Sequence, residues 1–186
     1  MQAYDEECLH GLTPNTCVIC KAPARSVAST REPVRKAKKN RKTPENSPSY
    51  FNHPWPLWFQ MRDAGAAHII SRAGQRRKTY YGELWTAIER QVGEELGNSW
   101  RQLPYLLGDI AEHVYDEIGL ILTALVIYEE RDEHPGEGFF RLAAEMGALR
   151  EEDAPPVGER WEGMTTAQRD FWETQVQSLF ARFAGT

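Results

Sequence analysis

At 186 residues, with 41% hydrophobic and 11% aromatic residues, the chain holds enough apolar material for one ordinary domain and a small appendage. No run approaches the roughly 18 apolar residues of a membrane span, the acidic opening MQAYDEECLH lacks a secretory leader, and three cysteines make a poor disulfide framework. A cytoplasmic protein without a membrane partner is expected. The net charge of −5 conceals a division: residues 1–78 carry 14 Lys and Arg against 6 Asp and Glu, a formal +8, whereas residues 79–186 carry 8 Arg, no Lys and 21 acids, −13. Halves of opposite sign point to different partners, with a polyanion suited only to the first.

All three cysteines fall in CLHGLTPNTCVIC, residues 8–20. Cys8, His10, Cys17 and Cys20 supply three thiols and one imidazole, the number and type of ligands that close a tetrahedron around Zn2+. The Cys17-x-x-Cys20 pair is a knuckle that turns two thiolates onto one ion, and Gly11, Pro14 and Asn15 suit the reversal between the ligand pairs. So short a segment has little to bury, and metal binding would supply its folding free energy. Four protein ligands leave no open position, so the expected zinc is structural. The stretch resembles a short CxHGxxPxxCxxC ribbon at the N-termini of many otherwise unrelated actinobacterial proteins, a resemblance that implies zinc and no particular reaction.

Residues 22–49 contain Pro, Ser, Lys and Arg and almost nothing to bury, the composition of a flexible linker. From Lys21 to Lys42 there are nine basic residues against one acid, Glu32. Lys36, Lys38, Lys39, Arg41 and Lys42 form its densest run, a candidate contact for the phosphates of DNA or RNA through counterion release. A solvated linker is the competing reading. Arg72, Arg76, Arg77 and Lys78 would extend a basic patch.

YFNHPWPLWF, residues 50–59, marks the start of a folded body that runs to residue 186. Its rings are expected either to seal that body or to stack bases. Leu84, Trp85, Ile88, Val92 and Leu96 make one helical stripe, with Thr79 a candidate cap. Leu106, Leu107, Ile110 and Val114 make another, with Pro104 in its first turn. Residues 120–128, LILTALVIY, favour a buried strand over a buried helix without settling the choice. Phe139, Phe140, Ala143, Met146 and Leu149 predict a short helix after the turn HPGEG. Trp172, Val176, Leu179, Phe180 and Phe183 predict a last one, opened by the capping signal TTAQ at 165–168. The expected fold is mainly α (α+β): a helical body, 50–186, with a short buried strand or hairpin, behind a linker, 22–49, and a small N-terminal zinc ribbon, 1–21. Trp85, Ile88, Leu107, Ile110, Leu125, Ile127, Phe139, Trp172 and Phe180 are its expected core.

Asp109, Glu112, His113, Asp116 and Glu117 share the polar side of the helix around Ile110, a spacing that could build a metal or acid–base site, with the wet face of that helix the simpler reading. Gly136 and Gly138 could open amides to an anion or simply begin a helix. The nucleophile-elbow and P-loop signatures of common enzymes are missing. The stretches TYYGELWTAI, LPYLLGDIAEHVYDEIGLILTALVIYEE, HPGEGFFRLAAEMGAL and FWETQVQSLFARF resemble an uncharacterised actinobacterial family, which implies a single domain across most of residues 79–183 and no activity. The body is also similar, less closely, to the winged-helix part of alkyltransferase-like DNA proteins, but it lacks their Pro-Cys-His-Arg nucleophile and has no Cys after Cys20.

Three readings follow. In the first, a non-enzymatic zinc-ribbon protein contacts nucleic acid through its basic linker while the acidic body engages a protein. In the second, a protein-interaction adaptor never touches nucleic acid. In the third, an enzyme works from the Asp109/His113/Asp116 face.

Overall fold

The computed structural model describes residues 49–97, 99–129, 133–157 and 161–185. Cys8, His10, Cys17 and Cys20, together with Lys36, Lys38, Lys39, Arg41 and Lys42, lie outside the described residues. Among those described, five α-helices carry the fold and strands are confined to two short pairs.

The first pair is a hairpin of β1 (Ser49–Tyr50) and β2 (His53–Pro54), antiparallel, with Tyr50 opposite His53. Its two loop residues, Phe51 and Asn52, have φ of 49° and 66°, and a type I′ turn requires positive φ at both. Helix α1 (Trp55–Gly74) follows directly, with Pro56 in its opening turn where a missing N–H costs nothing. Trp58, Met61, Ala64, Gly65, Ala66, Ile69, Ile70 and Ala73 are all buried along it. This is the central helix, and it packs most extensively on α2 (Tyr81–Val92).

The closeness of that packing rests on Gly65. A Cβ there would come 2.6 Å from Ile110 Cδ1 and 3.3 Å from Ile88 Cδ1, so α2 and α3 (Ser99–Ile118) both reach the backbone of α1 at this point. Pro104 lies inside α3, because the helix begins at Ser99 and not near the proline, a correction to its expected first-turn place.

The segment 120–128 resolves into two forms. Leu122–Leu125 make a turn of 3-10 helix, and only Val126–Ile127 extend, as β4. They pair in parallel with β3 (Thr79–Tyr80), Thr79 beside Val126 and Tyr80 beside Ile127. Helix α4 (Glu137–Glu145) and a 3-10 turn at Glu151–Asp153 lead to α5 (Thr166–Arg182). The predicted cap of α5 is present: Gln168 N donates to Thr165 Oγ1 at 3.2 Å, and Thr165 N donates to Gln168 Oε1 at 3.1 Å.

Side chains from all five helices meet in one continuous core. Eight of the nine expected core residues are buried in it; Phe180 is only partly buried, and Phe183 fills the fully buried position instead. Thr79 does not cap α2. Glu83, in the first turn, takes a hydrogen bond from the Thr79 hydroxyl at 3.1 Å and one from Tyr80 N at 3.4 Å.

Candidate nucleic-acid interface

The entry to the body is a stack of aromatic rings in two layers. The lower layer is Trp58, completely buried, whose indole N–H donates to Asp109 Oδ2 at 2.6 Å. Phe51 stacks on it with centroids 5.9 Å apart, and Tyr50 meets it edge-on at 4.8 Å. The left-handed backbone at Phe51 is disfavoured for a bulky side chain, and the ring packs there between Trp58 and Tyr50, with Tyr105 4.9 Å away. His53 Nε2 lies 2.8 Å from Gln102 Oε1 and ties the hairpin to α3.

The upper layer is a row of rings reaching the surface. Phe59 contacts Trp55 at 5.7 Å, Trp55 stacks nearly parallel on Tyr50 at 5.5 Å, and Tyr50 meets Tyr105 at 6.3 Å. Phe59 and Tyr105, at the ends of the row, remain 45% and 52% exposed. Arg62 holds its guanidinium 5.1 Å from the Phe59 ring centroid while pairing with Asp63 at 2.8 Å. Arg101 is exposed one turn before Tyr105 on α3. The inner rings of the aromatic run therefore seal the core, as expected, while Phe59 and Tyr105 at its outer ends stay about half exposed.

The second basic cluster is divided. Arg72 is spent on structure, with Nη2 on both Glu83 oxygens at 3.0 and 3.1 Å and Nε donating to the Lys78 carbonyl at 3.2 Å. This pins the end of α1 to the start of α2, and His68 joins the same network through Thr79 Oγ1 at 3.0 Å. Burial lowers the His68 pKa, Glu83 opposes the shift, and Arg72 adds to it. Lys78 pairs with Glu133 at 3.0 Å, sits 5.2 Å from the Trp172 ring centroid, and lines a groove of about 580 Å³ together with Trp172, Glu173, Val176 and Phe180. Arg76 and Arg77 stay exposed.

Two other candidates from the sequence take the plainer of their expected forms, a wet helix face and a helix start. Asp109 is half-buried and serves as the acceptor for Trp58, while Glu112, Asp116 and Glu117 are exposed along α3. Among the described residues, no group of three or more His, Cys, Asp or Glu is placed to hold a metal ion. At the glycine turn, Gly136 is buried as the N-cap of α4 and gives a backbone hydrogen bond to the Tyr81 hydroxyl. Tyr81 stacks on Tyr128 at 4.7 Å; its own burial raises its pKa, and Tyr128 raises it further. A Cβ on Gly136 would meet the Tyr128 hydroxyl at 2.9 Å. Phenols, not an open anion site, occupy the start of this helix.

Arg62 and Tyr105 are the members of the surface that the sequence reading did not assign. Arg62 lies three residues after Phe59 and Tyr105 four after Arg101, helical spacings that put each pair on one side. Comparison with protein-family models, curated proteins and solved structures finds no match for this chain.

Proposed function

We propose that this chain is a non-enzymatic zinc-ribbon protein that binds nucleic acid as an accessory or regulatory factor. The observation that carries the reading is one of order along the chain. Four zinc-type ligands are followed by nine basic residues against one acid, and the chain then enters the described body at an aromatic surface flanked by Arg62 and Arg101. Cys8, His10, Cys17 and Cys20 form a donor set of three thiolates and one imidazole that fits zinc, whose role would be to hold the first 21 residues in a fold. Lys36, Lys38, Lys39, Arg41 and Lys42 would neutralise phosphates without reading sequence.

The adaptor reading draws its support from the −13 charge of residues 79–186, which repels a polyanion and favours a protein partner for the body. The two are separated by a salt-dependent gel shift with DNA and RNA. Changing the five basic residues 36, 38, 39, 41 and 42 to Gln should flatten the slope of log affinity against log salt by a few units, up to about five. Lack of binding at low salt by the unaltered protein would decide for the adaptor. Metal analysis of the freshly purified, reduced protein should find about one zinc per chain, lost in Cys17→Ser.

A further inference from the structure

We propose that the ligand of this chain is an unpaired strand of DNA or RNA, whose bases stack on the outer ring row formed by Phe59, Trp55, Tyr50 and Tyr105. The proposal rests on the nucleic-acid reading above and names which form of nucleic acid is taken.

Phe59 and Tyr105 are rings that the core uses only in part, and the partly buried Trp55 and Tyr50 link them. Trp58 and Phe51 already close the core beneath, and Trp58 has no exposed surface. Phe59 and Tyr105 nevertheless leave about half of their area in water, at 45% and 52%, so their outer faces contribute little to burial. They are neighbours in one continuous row, each ring 5.5–6.3 Å from the next, and not scattered apolar residues. At one end the exposed Arg101 precedes Tyr105 by one helical turn; at the other Arg62, 5.1 Å from the Phe59 centroid, is paired with Asp63 at 2.8 Å, so that pair carries no net charge.

Asp63 is paired with Arg62 at 2.8 Å, and Asp109 accepts from Trp58 at 2.6 Å. The charge that favours a polyanion here lies in the chain that leads into the row. The densest run of cations in the chain ends at Lys42, seven residues before Ser49, where the described structure begins. Phosphates held by that run keep the attached bases within reach of the rings, since seven extended residues span at most about 25 Å.

A duplex offers this surface nothing, because its base faces are already stacked on one another. An unpaired strand offers a π-face at every base, whatever the sequence. Stacking supplies an attraction that salt does not screen, beside the salt-sensitive attraction of the linker. The two parts are separable by experiment.

The test uses the full-length protein and fluorescence anisotropy with labelled oligo-dT and oligo-rU of about 12 nucleotides, within the range of small single-strand sites, and a duplex of equal length. Single strands should bind more tightly than the duplex. Phe59→Ala and Tyr105→Ala should each weaken single-strand binding about 10-fold, with the salt slope and the duplex affinity unchanged. Tyr105→Phe, which keeps the ring, should bind as the parent does. Circular dichroism melts check that the variants remain folded. Single-strand affinity that withstands both alanine substitutions overturns this inference while the nucleic-acid reading stands, as does a preference for the duplex. If the parent binds none of the three probes, both fall and the ring row belongs to a protein partner.

Discussion

Two groups of aromatic residues in this protein have similar composition and opposite fates. Around α4 and α5, Phe139, Phe140 and Trp172 are all less than 10% exposed, and the Trp172 indole N–H is consumed by the Ala124 carbonyl at 2.8 Å. At the entry to the body, Trp58 is equally buried and equally satisfied, by Asp109, but the rings around it lead out to Phe59 and Tyr105, which stay about half in water. The same residue types thus do two jobs. A ring whose polar tip and both faces are engaged stabilises the fold, and a ring with an open face is available to something else.

That distinction predicts a steep gradient of effects. Trp58→Ala should cost about 3–5 kcal/mol in urea unfolding, because it empties a site at the base of the stack. Trp58→Phe keeps most of the packing but removes the donor to Asp109, and about 1–3 kcal/mol is expected. Trp172→Phe should fall in the same range, since the Ala124 carbonyl loses the donor that reaches it in the core. A Trp58→Ala protein as stable as its parent would mean that the lower layer does not belong to the core.

A smaller effect is expected from the polar network at the junction of α1 and α2. With the folded His68 pKa held down chiefly by burial, the unfolded chain takes up its proton at higher pH than the folded one. The contribution of His68 is whole above its ordinary value near 6.5 and declines as pH falls from there toward the folded value. Melting temperature should therefore drop between about pH 7.5 and pH 5, and His68→Gln should flatten part of that drop. An identical pH profile in the variant would remove His68 from the account.

The smallest effect sharpens the comparison most. Phe59→Ala and Tyr105→Ala should each change stability by less than about 0.5 kcal/mol, as surface substitutions do. A loss of 2 kcal/mol or more would show that the outer rings are structural after all, in the manner of core aromatics.

Much of the fold was legible because its helices announce themselves at their ends. The TTAQ cap and the stripe behind it place α5 to within a residue, and Glu137–Glu145 lies within the region expected from Phe139 and Phe140. The stripe through Leu84 and Ile88 was read too far, to Leu96. Gly93, at φ 80°, ends α2 and leaves Leu96 to bury itself from the following loop, its N–H held by Glu89 at 3.1 Å.

The central helix α1 was the main omission. Its buried positions include Ala64, Gly65, Ala66 and Ala73, small residues that weaken a hydrophobic stripe in the sequence even though they are what allows close packing. In the strand, local preference was partly overridden. The apolar run 120–128 had the composition of a strand, but only two residues find a partner in β3, and four before them coil into a 3-10 turn against the core. At the candidate interface, the run of rings was visible and its division was not. Which face of a ring is open depends on what α3 brings beside it, and Tyr105 comes from 55 residues further along the chain than Tyr50.

The two-residue ladder between β3 and β4 also sets an order of events in time. Thr79 and Val126 are 47 residues apart, numbered 79 and 126, whereas α1 and α2 are neighbours in the chain joined by a short connection. The helix pair can close over a small loop, but the ladder must wait for the chain between its strands, which holds α2 and α3, to fold back, at a larger entropic cost. Amides of α1 and α2 should then gain protection early in pulsed hydrogen exchange during refolding, and those of Val126 and Ile127 late, so that a sheet of two residues per strand records the completion of folding.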